Sequence, residues 1–245
     1  MHIVQSDDKL FCLLYGFSGT GKTHLAATYC QAFRDKPVIL IDADQGTATL
    51  RAKELQDIDN LFVISFDKFS DLNDVYDCCK KNTPERWAKS VPELAGVLKE
   101  SIGCIIWDTW TEVQWTMSSQ LRSDKGIMGN GLAFRKNMEL QHWGMITDLN
   151  KLSIQSFKEL PINCIFIMQA QIKEDTLTGG LIKGPAISGK LITELPAMFT
   201  TVIYTYTSPT GKFCATTLPK QGWVAKVRGK VGKDIEYPTF KELLK

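Results

Sequence analysis

The octapeptide Gly16-Phe-Ser-Gly-Thr-Gly-Lys-Thr23 lies between a short apolar run, Leu10–Tyr15, and a segment in which Leu25, Tyr29, Ala32 and Phe33 recur at helical spacing. A buried strand, a loop holding three glycines and a helix, in that order, leave little choice of local geometry. Glycines let successive backbone N–H groups turn inward, and the first turn of the helix adds N–H groups with no intrahelical acceptor. A loop built this way suits the oxygens of a phosphate.

The chain continues in the same rhythm. Pro37-Val-Ile-Leu-Ile41 reads as a second strand running into Asp42-Ala-Asp44, and Leu61–Phe66 as a third. Leu72–Lys81 and Pro92–Glu100 read as helices, with Pro84 and Trp87 in their connection, and Ile102-Gly-Cys-Ile-Ile-Trp107 as a strand closed by Asp108. Residues 118–136, with three glycines and Asn130, read as a mobile loop; Trp143–Leu160 is helical, and Cys164–Met168 is a further buried strand. Lys173–Lys190 reads as a long glycine-bearing excursion. Thr200–Tyr206, Phe213–Leu218 and Trp223–Val227 read as antiparallel strands finishing a parallel sheet. The fold class expected is α/β, a mostly parallel central sheet flanked by helices with antiparallel C-terminal strands.

At 245 residues and 44% hydrophobic content, one domain over 1–245 is expected, and a wholly disordered or collagen-like chain is excluded. No apolar stretch reaches the width of a bilayer and Met1–Lys9 is polar, so the expectation is a cytoplasmic protein without membrane span or signal peptide. The seven cysteines form no CxxC pair and no zinc-ligand cluster, which favours reduced core thiols. Net charge is only +2, but Lys212–Lys245 holds eight Lys/Arg against three Asp/Glu, giving a basic C-terminal tail from about residue 229. A basic end is compatible both with phosphate contacts and with a solvated surface.

Gly16-x-x-x-x-Gly21-Lys22-Thr23 is the complete Walker A pattern in its required strand-to-helix setting. Residues 16–24 (Gly16, Phe17, Ser18, Gly19, Thr20, Gly21, Lys22, Thr23 and His24) are the expected ATP-binding set, with Lys22 reaching the β and γ phosphates and Thr23 turning its hydroxyl to Mg2+. Asp108, at the end of a buried run, is the expected second Mg2+ residue, through a water ligand; a helix N-cap is its simpler role, and the two are compatible. No Glu follows Asp108, so the water-orienting carboxylate is sought at the second strand. Asp44 is preferred over Asp42, the alternative being that both merely cap the turn before Gly46. Gln169 is the candidate contact to the γ phosphate or attacking water, with Gln171 as the weaker choice. Lys226 and Arg228, two cations at period two, are candidates for reaching a neighbouring subunit's ATP, against surface solvation.

These features together resemble the RecA-like P-loop ATPase core, and most of all the small phage-encoded ATPases of the Sak type, associated with recombination and single-strand annealing. The resemblance runs from about Leu10 to Gly229 and includes Pro185-Ala-Ile-Ser-Gly-Lys190, Leu195-Pro196 and Phe199. It implies a Mg2+-dependent ATPase that binds single-stranded DNA as a filament or ring. It assigns the family's Asp-x-Glu acid to Asp44, the sensor glutamine to Gln169 and the trans-acting fingers to Lys226 and Arg228. Asp44 stands where the family has Glu, and a carboxylate moved by about an ångström can cost on the order of 100-fold in rate. DNA contact would rest on Arg122–Lys136, with Lys125, Arg135 and Lys136, and on Lys173–Lys190, with Lys183. A single-strand-binding or replication protein is a further partner implied. The competing readings are a nucleotide-gated helicase or helicase loader, and a small-molecule (nucleotide) kinase, which would bring more arginines over the phosphates than this chain offers.

Overall fold

The computed structural model describes residues 9–51, 55, 57–124, 138–175 and 179–244. Its strands are β1 (Phe11–Gly16), β2 (Val38–Asp42), β3 (Leu61–Ser65), β4 (Cys104–Asp108), β5 (Asn163–Glu174), β6 (Leu181–Pro185), β7 (Thr201–Thr207), β8 (Phe213–Thr216), β9 (Lys226–Val227) and β10 (Asp234–Glu236). They form one sheet in the order β10-β8-β7-β1-β5-β4-β2-β3, with β6 added to β5 and β9 to β7. The helices are α1 (Lys22–Ala32), α2 (Ser70–Lys81), α3 (Pro84–Ser90), α4 (Trp110–Asp124), α5 (Leu140–Glu159), α6 (Leu191–Met198) and α7 (Phe240–Leu244). This is the expected α/β fold, mostly parallel at its centre and antiparallel towards the C-terminus.

Strand periodicity explains the two cores. Along β1, Phe11, Leu13 and Tyr15 face one side with Trp107, Phe166 and Phe157, whereas Cys12 and Leu14 face the other beneath Leu25 and Tyr29 of α1 and Phe240 of α7. Parallel strands covered on both faces read as unbroken apolar runs, which is why β1, β2 and β4 are buried along their whole length. All seven cysteines are buried and free, as expected. None of the described helices is long and apolar enough to cross a membrane.

Several boundaries differ from expectation. Residues 118–124 continue α4 instead of opening a loop, and the rest of the expected loop lies outside the described residues. Pro92–Glu100 contributes only a 3-10 turn at Pro92–Leu94; the helix is the preceding Pro84–Ser90. Thr83 starts that helix by accepting from the Arg86 N–H at 3.3 Å, with Pro84 in the first turn, where its missing N–H costs nothing. The glycine-bearing excursion is largely a hairpin, because β5 runs on to Glu174 and pairs with β6 from Ala170↔Pro185 to Glu174↔Leu181.

β7 is parallel to β1, so of the three C-terminal strands expected to be antiparallel the first joins the parallel set, while β8 and β9 pair antiparallel with it and β6 antiparallel with β5. A parallel neighbour needs a crossover, and α6 supplies one despite Pro196 inside it. The expected strand Trp223–Val227 shortens to Lys226–Val227, with Trp223 in an isolated bridge to Lys220. The basic tail is built into the structure: β10 pairs with β8, and Phe240 of α7 packs edge-on against Tyr29.

Candidate functional site

β1, β2 and β4 all end on the same side of the sheet, and parallel sheets bind ligands at the carboxyl ends of their strands. Register brings Gly16 opposite Gln169 across β1 and β5, and Asp42 opposite Asp108 across β2 and β4. The loop after β1 is tied down from its other neighbour. Thr20 Oγ1 donates to the Phe17 carbonyl and lies 2.8 Å from Thr205 Oγ1 on β7. Gly16 tolerates no side chain there, since a Cβ would fall 2.1 Å from Thr205 Oγ1 and 2.5 Å from the Thr205 carbonyl. Gly16→Ala should therefore lower stability by about 1–3 kcal/mol, seen as a lower urea midpoint at unchanged slope. An unchanged midpoint would contradict the close approach. Gly19 and Gly21 hold φ of 74° and 79°, the left-handed conformation that turns the loop into α1.

A cleft of about 180 Å³ opens above these ends, lined among others by Ser18, Lys22, Thr23, Asp44, Asp108 and Gln169. Lys22 is 7% exposed and its ammonium donates to the Phe17 carbonyl at 2.9 Å and to Gln169 Oε1 at 3.2 Å. Burial lowers its pKa, with Asp108 and Asp44 pulling it back up. Asp108 is 2% exposed. Burial is the main force raising its pKa to about 6; a Thr23 hydrogen bond and Lys22 oppose it, while Asp44 and Asp42 add to it. Among the described residues its Oδ1 and the neighbouring Thr109 Oγ1, both buried, have no hydrogen-bond partner.

A carboxylate oxygen left in this state beside a threonine hydroxyl suits a hydrated Mg2+, which takes one or two protein oxygens and draws the rest from water and phosphate. Among the described residues no group of three or more His, Cys, Asp or Glu forms a metal cage.

Asp44 and Asp42 both accept from the Gly46 N–H, at 2.9 and 3.1 Å, so each caps that turn as the simpler reading had it. Asp44 also lines the cleft. Burial and Asp42 raise its pKa, against the Gly46 N–H and Lys22. Gln169 is pinned through its backbone: its N–H donates to Thr111 Oγ1 at 3.0 Å, and its carbonyl accepts from Ala186 at 2.6 Å. Gln171 spends its amide on the Pro185 and Ile187 carbonyls and belongs to the hairpin.

The remaining candidates lie elsewhere. The Phe17 ring leans edge-on against Trp223, with centroids 5.5 Å apart. His24 faces a second cavity beside the cleft. Lys226 and Arg228 flank the start of β7, Lys226 paired with Val202 and the Arg228 N–H donating to the Thr200 carbonyl. From there to Thr205, beside Gly16, is a run of strand of roughly 10 Å or more. The pair is thus at the opposite end of the sheet from its own phosphate loop. Lys183 donates to the Gln221 carbonyl and stands over the Trp223 ring. Arg122 lies on α4, and Lys125, Arg135 and Lys136 lie outside the described residues.

Sequence reasoning missed Glu112, one turn into α4, whose carboxyl pKa is raised by burial and by Asp44. Thr109-Trp-Thr-Glu112 spells a capping box, and that spacing was the available signal.

A family model described as "AAA domain" matches residues 8–229. No curated protein matches the chain. Among solved structures, a crystal structure of the RadB recombinase aligns at 12% identity and a TM-score of 0.40, covering 84% of this chain and 78% of that one. With the family match spanning nearly all of the sheet and every residue of the cleft, the chain belongs to the AAA domain family of P-loop ATPases.

Proposed function

We propose that this protein is a Mg2+-dependent ATPase that works as an oligomer on single-stranded DNA, in recombination or single-strand annealing of the phage Sak type. The observation that carries the nucleotide part is the buried Lys22 ammonium, held on a backbone carbonyl and a glutamine across from the partnerless Asp108 Oδ1. A triphosphate entering the cleft gives Lys22 an anionic partner in place of two neutral ones. Lys22 then neutralises charge on the β and γ phosphates, while the loop N–H groups orient the tail. Bound Mg2+ would be held by Thr23 and, through water, Asp108, and would supply charge neutralisation at the transferred phosphoryl group.

Asp44 is the carboxylate assigned to orient the attacking water. Asp44→Asn should leave ATP affinity within about three-fold and lower turnover by on the order of 100-fold, the range for removing one positioning group. Turnover at the parent rate would move that role to another side chain, with Glu112, whose carboxyl feels Asp44, the next candidate. Gln169 is assigned to sense the γ phosphate: when Lys22 turns to the nucleotide, the Gln169 amide is released, and its backbone is bonded directly to the 185–187 return of the hairpin. Lys226 and Arg228, remote from their own phosphate loop, are assigned to a neighbouring subunit's ATP.

The test is phosphate release measured with and without single-stranded DNA over a range of protein concentration. Stimulation by DNA and a rate per subunit that rises with concentration support the proposal. A rate independent of both removes the oligomeric DNA-dependent part. The hold of the Gly46 N–H on Asp44 favours one second reading, a loader that binds ATP with little turnover. Tight ATP binding, weak hydrolysis and a protein partner retained without DNA would establish it.

A further inference from the structure

Next to the phosphate cleft lies a larger cavity of about 690 Å³, which shares Gly19, Gly21 and Thr49 with it. Its outer wall is aromatic. The Phe213 ring stands over the loop, so close that a Cβ on Gly21 would lie 3.6 Å from its edge. Tyr237 is 63% exposed and hangs beside it, with its N–H donating to the Phe213 carbonyl at 2.7 Å. Leu25 and Cys214 line the interior.

The polar side chains on this wall are mostly committed. Thr28 donates to Leu25 and accepts from Phe240, Thr205 is bonded to Thr20, and Thr239 donates to Glu242. Gln31 is already partnered. Among the described residues no carboxylate, asparagine, lysine or arginine side chain lines the cavity. The His24 imidazole and the Thr49 hydroxyl can each turn or switch tautomer to serve as donor or acceptor, so neither imposes one pattern on a base edge.

We infer that this cavity takes the nucleobase of the triphosphate, stacked on Phe213 and Tyr237, and that the site accepts ATP and GTP almost equally because, among the described residues, no side chain of its wall holds out a fixed donor–acceptor pattern to the base edge. The inference rests on the nucleotide reading of the neighbouring cleft. It extends that reading to the part of the ligand that sets selectivity. Nucleotide choice then lies with the phosphate tail, gripped by backbone N–H groups and Lys22, and the base adds stacking affinity that any purine supplies.

Calorimetric titration with non-hydrolysable ATP and GTP analogues and with inorganic tripolyphosphate, all with Mg2+, separates the two sites. The parent should bind both analogues within about three-fold of each other, and tripolyphosphate more weakly by about 100-fold, the value of a base stacked on two rings. Phe213→Ala and Tyr237→Ala should each cost about ten-fold in analogue affinity and leave tripolyphosphate unchanged, while Tyr237→Phe keeps parent affinity. Both rings are partly solvent-exposed, so the variants should fold. Equal losses on analogue and tripolyphosphate, or no loss on either, would overturn the base assignment, and a preference of about 100-fold for one purine would overturn the equal acceptance of ATP and GTP, each while leaving the phosphate site intact. A parent protein that binds neither analogue nor tripolyphosphate would overturn the phosphate reading itself, and the base pocket with it.

Discussion

Lys22→Ala should weaken triphosphate binding by roughly 100-fold, about 3 kcal/mol, as expected when one member of a buried charge pair is removed. The argument starts from the nucleotide-free protein. There Lys22 is 7% exposed and the acceptors of its ammonium are a carbonyl and an amide oxygen. Burying a cation against neutral oxygens is costly, so the protein holds Lys22 ready for an anion and not in a finished structural contact. Removing it also leaves Asp108 and Asp44 facing each other with one positive charge fewer, which makes the cleft still less welcoming to phosphate. Thermal denaturation should show that the variant remains folded, and titration with a non-hydrolysable analogue should show the loss. Parent affinity in a folded Lys22→Ala protein would mean that the cleft is not where the triphosphate sits.

What the sequence made legible was local. Gly16–Thr23 could be read because the strand, the turn and the helix that define it are contiguous, and Asp108 because it closes an apolar run. Long-range partners were another matter. β7 takes its place beside β1 through a crossover containing α6, and a helix of eight residues with Pro196 inside gives little periodic signal. β7 itself reads Thr-Val-Ile-Tyr-Thr-Tyr-Thr, a β-rich run that suits either pairing, so its parallel pairing became visible only with the whole sheet.

The same limit applied within the site. Gln169 and Gln171 share the parity of one strand, yet one meets Lys22 and the other secures a hairpin whose return strand is more than ten residues away. Glu112 feels the charge of Asp44 from a different element, a coupling that spacing along the chain does not encode. Lys226 and Arg228 were readable as a pair of cations, but their distance from their own phosphate loop depends on the register of β9 with β7. The aromatic pair Phe213 and Tyr237 was likewise invisible, because the tail read as solvated folds back to put Tyr237 beside β8.

Asp108→Asn should separate the needs of the site from those of the fold. Folding raises the pKa of this carboxyl from 3.8 to about 6. The folded form therefore holds its proton more tightly than the unfolded chain: the stabilisation is complete below the unfolded value and is lost as pH rises through about 6. Above that pH the nucleotide-free protein carries a buried charge with an oxygen unpartnered among the described residues, a penalty of about 3 kcal/mol. Asparagine fills the same space without charge, although its own buried amide returns part of the gain. In chelator at pH 7.5 the variant should be more stable by about 1–2 kcal/mol, a rise in Tm of several degrees for a chain of this size, and near pH 5 the difference should vanish. The same variant should lose the Mg2+-dependent increment in nucleotide affinity, because an amide replaces the anionic oxygen that would face the hydrated ion. Equal Tm differences at both pH values would show that the carboxyl is not desolvated as the structure has it. A fully retained Mg2+ effect on binding would move the cation away from Asp108.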